Sequence, residues 1–231
     1  RPLPRDVGVV VVAAGRGVRA GGGAPKQFRD VAGVPLLLRA LRPFAAHPEV
    51  DHVVVVLPAG AVERPPEWLT GLRGEGMTFV AGGEERSDSV RAGLAALPLR
   101  CRTVLVHDGA RPFVERDLID VVIAGARAGD GVVPAIPEGD TLKQVARDGE
   151  TIERTIPRDR LWRAQTPQGF PLPMLVAAYA AGAPASGATD DAGVVEAGGG
   201  RVRIVPGSPR NIKVTSAEDF ALAELLAGGD R

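Results

Sequence analysis

Short apolar runs rich in β-branched residues alternate with segments of helical spacing over the first part of the chain. The first run, Val7–Ala13, is continuous, which is typical of a strand buried on both faces. Similar runs predict further strands at His52–Leu57, Met77–Ala81, Thr103–His107 and Gly131–Ile136. Helices are predicted around residues 36–44, where Pro43 is expected to kink or end the helix, and at Glu67–Leu72, Arg86–Leu97 and residues 118–126. This alternation predicts an α/β fold, with a mostly parallel twisted sheet, helices on both faces and ligands beyond the carboxyl ends of the strands.

The segment 137–162 interrupts this rhythm, because two polar alternating runs flank Asp148-Gly149. Such a pattern predicts a protruding β-hairpin arm. Beyond the arm, the pattern predicts helices at Pro171–Ala181, Asp190–Ala197 and Ala217–Leu226, the last opened by a capping box of Ser216 and Asp219, and a strand at Val202–Val205. The glycine-rich stretches 182–187 and 198–200 are interpreted as loops, so residues 1–231 are predicted to form a single domain.

Charge and cysteine content exclude several classes of protein. The 28 basic residues balance the 28 acidic ones, so no global field favours nucleic acid or a membrane surface, and neither is expected as a partner. No apolar stretch is long enough to span a bilayer, and no cleavable signal pattern is found at the start. The single cysteine, Cys101, permits no internal disulfide and is expected to be inert, which fits a cytoplasmic location. The three histidines show no zinc-ligand spacing with it.

Lysine is scarce in this chain, which has 25 arginines and only Lys26, Lys143 and Lys213. A lysine that survives such a bias is expected where a compact point charge is needed instead of a planar fork. Chance survival is the alternative.

The glycine-rich loop from Gly15 to Pro25 follows the first predicted strand directly. Glycines let backbone N–H groups approach phosphate oxygens, and Arg19 and Lys26 add positive charge. One interpretation is a long loop that wraps a nucleoside triphosphate and is closed by Pro25-Lys26-Gln27. A flexible turn without a ligand is the other.

Two better-known phosphate loops fit this segment poorly. The P-loop pattern Gly-x4-Gly-Lys-Ser/Thr is absent. The spacing Gly15-x-Gly17-x-x-Ala20 matches a dinucleotide fingerprint, but residues 21–25 break the helix that such a site requires. The second strand also ends in Leu57-Pro58, without the acidic residue that would bind a ribose.

Six segments, in order along the chain, make a family resemblance specific. They are residues 13–19, Pro25-Lys26-Gln27, residues 82–90, residues 107–112, residues 140–143 and residues 211–215. From about Val7 to Leu226 the chain resembles the 2-C-methyl-D-erythritol 4-phosphate cytidylyltransferase family of the non-mevalonate isoprenoid pathway. The resemblance implies a Rossmann-like nucleotidyltransferase fold, an arm-mediated homodimer, and transfer of CMP from CTP to the sugar-alcohol phosphate. Pyrophosphate and 4-diphosphocytidyl-2-C-methyl-D-erythritol would be the products.

The resemblance also implies roles for individual residues. Arg19 and Lys26 would hold the triphosphate and stabilise the transition state, while Arg158 and Lys213 would position the sugar phosphate. The implied nucleotide-binding residues are Ala13, Ala14, Gly15, Gly17, Lys26, Gly82, Gly83, Glu84, Ser89, Asp108 and Gly109. The implied substrate-binding residues are Asp108, Arg111, Thr141, Arg158, Thr166, Thr189 and Lys213. The chain departs from the family pattern at Ala20, at Glu84, where Asp is common, and at Gly109, where Ala is common.

The chemistry of this transfer agrees with the residue types. Two polyanions must meet, so fixed cations are the main requirement, and an ionised phosphate nucleophile needs no general base. A divalent ion, Mg²⁺, is expected as cofactor, with no certain protein ligand and with Asp108 nearby. The alternative for Asp108 is a helix N-cap. His107 and Trp162 are predicted to pack in the interior.

Two competing functions remain open from the sequence. A ribitol-5-phosphate cytidylyltransferase would carry similar motifs around CTP. A catalytically silent nucleotide-binding domain would share the fold, although it would not need both pairs of cations.

Overall fold

The computed structural model describes residues 4–15, 25–74, 76–182 and 188–229. Its first half contains β1 (Val7–Val12), a 3-10 turn (Lys26–Phe28), β2 (Asp30–Val31), β3 (Val34–Pro35), α1 (Leu36–Ala45), β4 (Val50–Leu57), α2 (Ala59–Glu63), α3 (Glu67–Thr70), β5 (Met77–Ala81), α4 (Arg86–Ala95) and β6 (Thr103–Asp108). Its second half contains α5 (Arg116–Arg127), β7 (Gly131–Pro137), β8 (Leu142–Val145), β9 (Ile152–Ile156), β10 (Trp162–Ala164), β11 (Gln168–Pro171), α6 (Leu172–Ala180), α7 (Asp191–Ala197), β12 (Val202–Pro206) and α8 (Ala217–Gly228).

The central sheet has eight strands in the order β10-β7-β11-β6-β1-β4-β5, with β12 paired to β7. The pairs β1–β4, β1–β6, β4–β5 and β7–β12 are parallel, whereas β11 runs antiparallel to both β6 and β7. The predicted mostly parallel α/β sheet is therefore confirmed. Because β1 and β6 run in the same direction, Val12 and Asp108 are paired in register and their carboxyl ends open at the same edge.

The core has two layers, one on each face of the sheet. In β1, Val9 and Val11 belong to the layer covered by α1 and α5, whereas Val10 belongs to the layer covered by α4, α6 and α7. Successive side chains of a strand point to opposite faces, so an uninterrupted apolar run is what a doubly covered strand requires. The helices on both faces are thus confirmed.

A smaller third cluster sets the position of the chain just before α8. Phe220 and Ala223 of α8 pack with Val31, Phe113 and Val214. The predicted capping box opens this helix, since the Ser216 side chain accepts from the backbone of Asp219 and the Asp219 side chain accepts from the backbone of Ser216. Together, the cap and the packing hold residues 211–215 against the body of the protein.

A proline directly precedes several of the helices. Pro35, Pro58, Pro66 and Pro171 precede α1, α2, α3 and α6, with φ between −51° and −57°. The fixed φ of proline suits a helix start. Pro43, by contrast, does not end α1, which continues to Ala45. It lies in the last turn, where its ring interrupts few of the hydrogen bonds of the helix.

The predicted arm is a two-stranded hairpin of β8 and β9, separate from the central sheet. Gly149 adopts a φ of 77° in the turn, a conformation that favours glycine. The sequence did not predict β10 and β11, which follow the arm. β10 pairs antiparallel with β7 at the edge of the sheet, and β11 lies antiparallel between β6 and β7. Among the described residues, no helix combines the length and the apolar character needed to cross a membrane.

Candidate active site

A cavity of about 1050 Å³ opens at the carboxyl ends of β1 and β6. Its walls come from the residues after β1, the 82–89 segment that leads into α4, the end of β6, and the chain before α8. Of the residues predicted from the sequence, those that line it are Ala13, Ala14, Gly15, Lys26, Gly82, Gly83, Glu84, Ser89, Asp108, Gly109 and Lys213. The sequence motifs therefore converge on one place, at the edge of the sheet where α/β proteins bind ligands.

Two long-range hydrogen bonds hold the closing end of the glycine-rich loop. The Gln27 amide Nε2 donates to the Ala13 carbonyl at 2.9 Å, and the Lys26 ammonium donates to the Val214 carbonyl at 3.1 Å. The first bond ties the 3-10 turn to the end of β1, and the second ties it to the segment before α8. Gly17, Arg19 and Ala20 lie outside the described residues.

The 82–89 segment forms a wall on which the backbone is accessible. A Cβ on Gly82 would overlap Ala14 and lie 2.6 Å from the Ser89 hydroxyl, and a Cβ on Gly83 would overlap Asp88. Only glycine therefore fits at these two positions. A reciprocal capping box of Glu85 and Asp88 then opens α4 at the rim of the cavity.

Asp108, at the tip of β6, is surrounded by cations. Its carboxylate lies 2.8 Å from the Lys213 ammonium, 3.5 Å from Arg86 Nη2 and 3.9 Å from Arg111 Nε. Burial opposes ionisation, but Arg86, Lys213 and Arg111 outweigh it and hold the pKa of Asp108 well below its usual range. The carboxylate is thus charged at any physiological pH.

The backbone of Asp108 is held by a directed chain of hydrogen bonds. His107 Nε2 lies 3.0 Å from the Arg111 carbonyl, which can only accept, so this nitrogen carries the proton. Nδ1 then accepts from the Thr166 hydroxyl at 3.1 Å, and that oxygen accepts from the Asp108 N–H at 3.0 Å. Burial lowers the pKa of His107 to about 4, so the ring is neutral at pH 7. The predicted interior packing of His107 is confirmed, and Thr166 lies behind Asp108 instead of lining the cavity.

Arg111 also lies behind the cavity wall. Its Nη1 donates to the Asn211 carbonyl at 2.7 Å, which links the end of β6 to the segment that carries Lys213. Thr141, Arg158 and Thr189 are exposed and do not line the cavity of this chain. Arg158, at the base of the arm, donates to the Gly139 carbonyl.

Two sequence interpretations are wrong. Asp108 is not a helix N-cap, because the next helix, α5, begins only at Arg116 and has Glu115 as its N-cap residue. Trp162 is not in the core of this chain, because 45% of it is exposed at the edge strand β10. Cys101, in contrast, is buried, and burial raises the pKa of its thiol to about 11, in agreement with an inert residue.

Sequence reasoning missed two charged residues beside the cavity. Arg86 lies within the 82–90 segment and lines the cavity, and Asp191 is the first residue of α7. Their side chains pair at 2.7 Å although they are 105 residues apart. The only sequence signal for Asp191 was its place directly after Thr189 and Asp190.

The arrangement is suited to binding a large anion. Lys26, Lys213 and Arg86 reach the cavity from three different elements, and exposed backbone lies between them. Among the described residues that line the cavity there is no histidine or cysteine. The chemistry that these residues support is electrostatic stabilisation and positioning of phosphate groups, without proton transfer by the protein.

Comparison with known proteins agrees with this site. The 2-C-methyl-D-erythritol 4-phosphate cytidylyltransferase family model matches residues 7–228. The chain is 47% identical over 229 residues to the Saccharopolyspora erythraea protein of that name, covering 96% of this chain and 99% of that protein. It is 46% identical over 231 residues to a bifunctional enzyme IspD/IspF of Solidesulfovibrio magneticus, covering 94% of this chain but only 56% of that protein.

Solved structures give the same result. The Thermus thermophilus crystal structure of 2-C-methyl-D-erythritol 4-phosphate cytidylyltransferase matches with a TM-score of 0.79 and 39% identity, covering 96% of this chain and 99% of that chain. The 4-diphosphocytidyl-2C-methyl-D-erythritol synthase of Anaerococcus prevotii matches with a TM-score of 0.82 and 27% identity, covering 98% and 97%. The fold, the cavity and the sequence thus agree, and the chain belongs to the 2-C-methyl-D-erythritol 4-phosphate cytidylyltransferase family.

Proposed function

We propose that this chain is a cytidylyltransferase that transfers CMP from CTP to 2-C-methyl-D-erythritol 4-phosphate and releases pyrophosphate. The observation that carries the proposal is the convergence of Lys26, Lys213, Asp108 and the 82–89 wall on one cavity at the carboxyl edge of the sheet. A cavity of about 1050 Å³ has room for a nucleoside triphosphate and a second small substrate.

In the proposed reaction, a phosphate oxygen of the sugar alcohol attacks the α-phosphorus of CTP. A new P–O bond forms as the bond to the β-phosphate breaks, and the electron pair leaves on pyrophosphate. Lys26 neutralises charge that develops on the phosphates, with Arg19 in the same role, and Lys213 holds the incoming phosphate. The nucleophile is already ionised, which agrees with a neutral, buried His107 that takes no part in proton transfer.

The base is proposed to lie against the 82–89 wall. Gly82 is half-buried and Gly83 is exposed where they line the cavity, so a ligand can reach their backbone. Backbone N–H and C=O groups can distinguish the hydrogen-bonding edge of cytosine from that of a purine. Ser89, whose hydroxyl donates to the Glu85 carbonyl at 3.3 Å, adds a polar side chain to this wall.

Joining two polyanions favours a divalent cation that neutralises phosphate charge, and we propose Mg²⁺. The donor set fits an ion held mostly by phosphates and water, because the Asp108 carboxylate at the cavity already contacts Lys213 and Arg86. Among the described residues, the one tight group of potential ligands is His47, Glu49 and Asp120, and none of these lines the cavity. Bound there, Mg²⁺ would neutralise phosphate charge, and Asp108 is the protein residue that would help to hold it or its waters.

We also propose that the β8–β9 arm joins two chains in a homodimer and completes the site. The arm projects as a separate two-stranded sheet, and an isolated hairpin is only marginally stable in water. Val145 and Ile152 of the arm are exposed and paired across the hairpin. Trp162, at the start of β10 just after the arm, is also exposed. Because Thr141 and Arg158 lie outside the cavity of their own chain, each is free to serve the cavity of a partner.

This chain spans about half the length of the bifunctional relative, 56% of it. A cytoplasmic location is proposed from the single buried cysteine.

The test is a substrate panel on the purified protein with Mg²⁺. We expect release of pyrophosphate and formation of the cytidyl diphosphate product from CTP and 2-C-methyl-D-erythritol 4-phosphate, identified by mass spectrometry. ATP, GTP and UTP should give far lower kcat/KM. Comparable turnover with ATP would contradict the assignment of the base wall, and preference for ribitol 5-phosphate would reassign the second substrate.

A further inference from the structure

Arg86 connects the carboxylate of Asp108, which lines the cavity, to that of Asp191, which does not. Its Nη2 lies 2.7 Å from Asp191 Oδ2 and 3.5 Å from Asp108 Oδ1. Arg86 is the first residue of α4, Asp191 is the first residue of α7, and Asp108 is the last residue of β6. One guanidinium therefore joins the 82–89 wall to β6, which ends at Asp108, and to α7, which begins two residues after Thr189.

Asp191 is the better anchored of the two carboxylates. Its side chain is completely buried, against 12% exposure for that of Asp108, and its other oxygen accepts a hydrogen bond from the Tyr179 hydroxyl at 2.7 Å. Both short contacts offset the cost of burying the charge of Asp191, and the pair with Arg86 is the one that sets the position of the guanidinium. Asp191 therefore determines where the Arg86 guanidinium lies.

The Arg86 guanidinium has an alternative position that the pair prevents. Its side chain is 28% exposed and lines the cavity, so without Asp191 it could form a two-pronged pair with Asp108. That pair would compete with the Lys213 ammonium, now 2.8 Å from Asp108. Arg86 stays charged in either position, since Asp191 and Asp108 outweigh burial and raise its pKa further.

We propose that Asp191 is a positioning residue for the transfer: through Arg86 it keeps Asp108 paired with Lys213 in the geometry that receives the sugar phosphate. The inference rests on the proposed function and adds a residue that does not line the cavity. A purely structural role, in which an acidic residue stabilises the first turn of α7, is the alternative.

The positioning role and the purely structural role predict different kinetics. In each variant, the number of CTP-binding sites is determined by calorimetry, and kcat is calculated per site. We expect Asp191→Asn to lower this kcat by roughly 10- to 100-fold, the range for a misplaced reacting group, and to raise KM for the sugar phosphate. The Kd for CTP should stay within about threefold, because losing the pair misplaces Lys213 instead of the base wall. Unfolded protein binds no CTP and is therefore not counted in the number of sites by which the rate is divided.

Tyr179→Phe is the matched control, because it removes the hydrogen bond between the Tyr179 hydroxyl and Asp191 but keeps the pair of Asp191 with Arg86. We expect it to lower Tm while kcat per site stays within about twofold of wild type. Arg86→Lys, whose shorter side chain does not carry its nitrogen to the position of Nη2 between the two carboxylates, should reproduce the loss seen with Asp191→Asn, and the double variant should lose little more. Arg86→Lys carries the test alone if Asp191→Asn does not fold.

Three results would overturn the inference: a normal kcat per site in Asp191→Asn, a normal kcat per site in Arg86→Lys, or losses that multiply in the double variant. Failure of the proposed function itself would look different, because the wild-type protein would then turn over no CTP with the sugar phosphate in the same assay.

Discussion

Lys26 is one of three lysines in a chain with 25 arginines, and it lies where the glycine-rich loop ends beside the cavity. We expect Lys26→Ala to lower kcat by roughly 10²- to 10³-fold, because one preorganised electrostatic donor is lost. Lys26→Arg should restore only part of the rate, since a planar fork does not replace a compact ammonium. Steady-state kinetics with both substrates saturating measures the effect.

Arg102→Ala is the control for loss of a surface charge, because Arg102 is exposed and directly precedes β6, at the end opposite Asp108. Its kcat should stay within about twofold of wild type. A folded Lys26→Ala protein with a normal rate would remove Lys26 from the mechanism.

His107 links stability to pH. Because burial lowers its pKa from 6.5 to about 4, the unfolded chain binds a proton more readily than the folded one between these values. Titration of His107 therefore leaves the free energy of unfolding unchanged above pH 6.5. As pH falls from 6.5 towards 4, it lowers the free energy of unfolding by about 3 kcal/mol in total. Urea unfolding at several pH values should show this decline.

The matched variant for this prediction is His107→Gln, which has no group that titrates in that range. Its free energy of unfolding should be lower at pH 7 but change less between pH 6.5 and 4 than that of wild type. Equal slopes for the two proteins would assign the decline to other groups. Asp108, whose pKa is also lowered, likewise reduces the free energy of unfolding as pH falls. Its effect lies mainly below the ordinary value of 3.8, outside the range from pH 6.5 to 4.

At the scale of elements, the β8–β9 arm is notable for its exposed apolar side chains. Val145 and Ile152 face each other in register and are 46% and 57% exposed. We expect the double change Val145→Ser and Ile152→Ser to raise the dimer Kd by about tenfold or more, because apolar area buried between two arms is lost from both. Sedimentation equilibrium measures it.

Leu99→Ser provides the comparison, since Leu99 is a fully exposed leucine outside the arm. Its association should equal that of wild type. If the arm variant also associates normally, the dimer contact lies elsewhere on the chain.

Elements with a local signal could be predicted from the sequence, and those that depend on distant partners could not. The bounds of β5 were predicted correctly, and α8 was recognised from Ser216 and Asp219, because a short apolar run and a capping box are complete within a few residues. In contrast, β10 has only three residues, and it is a strand because β7 pairs with it.

The same division holds for the site. Gly82, Lys26 and Asp108 lie in motifs that directly follow strands, so their convergence at one edge could be predicted from the direction of the chain. Asp191 is the first residue of α7 and is connected to the site through Arg86, which is 105 residues away in sequence. A contact of that kind leaves no periodic or spaced pattern in the sequence.

At the scale of the whole molecule, the proposed arm-mediated dimer makes each active site from residues of two chains. Mixing Lys26→Ala chains with Arg158→Ala chains tests this arrangement, because each variant alone is expected to be nearly inactive. If the arm serves the partner, a heterodimer has one site with both changes and one unchanged site, so activity returns towards half that of wild type. If the arm serves its own chain, every site carries one change and stays inactive.

Heterodimers are verified by two affinity tags, and wild-type chains that have been unfolded and remixed serve as the control. Active control protein together with inactive heterodimers would rule out a shared site.

The bond between the Lys26 ammonium and the Val214 carbonyl joins positions 188 residues apart. Synthesis runs from the N-terminus, so β1 and the glycine-rich loop are made long before residue 214, and Lys26 acquires this partner only after Val214 has been added. Lys213, at the opposite wall, is made just before Val214. Chains released before residue 213 would therefore have the first strands of the sheet but only one of the two lysines, so turnover begins only with chains that extend past Val214.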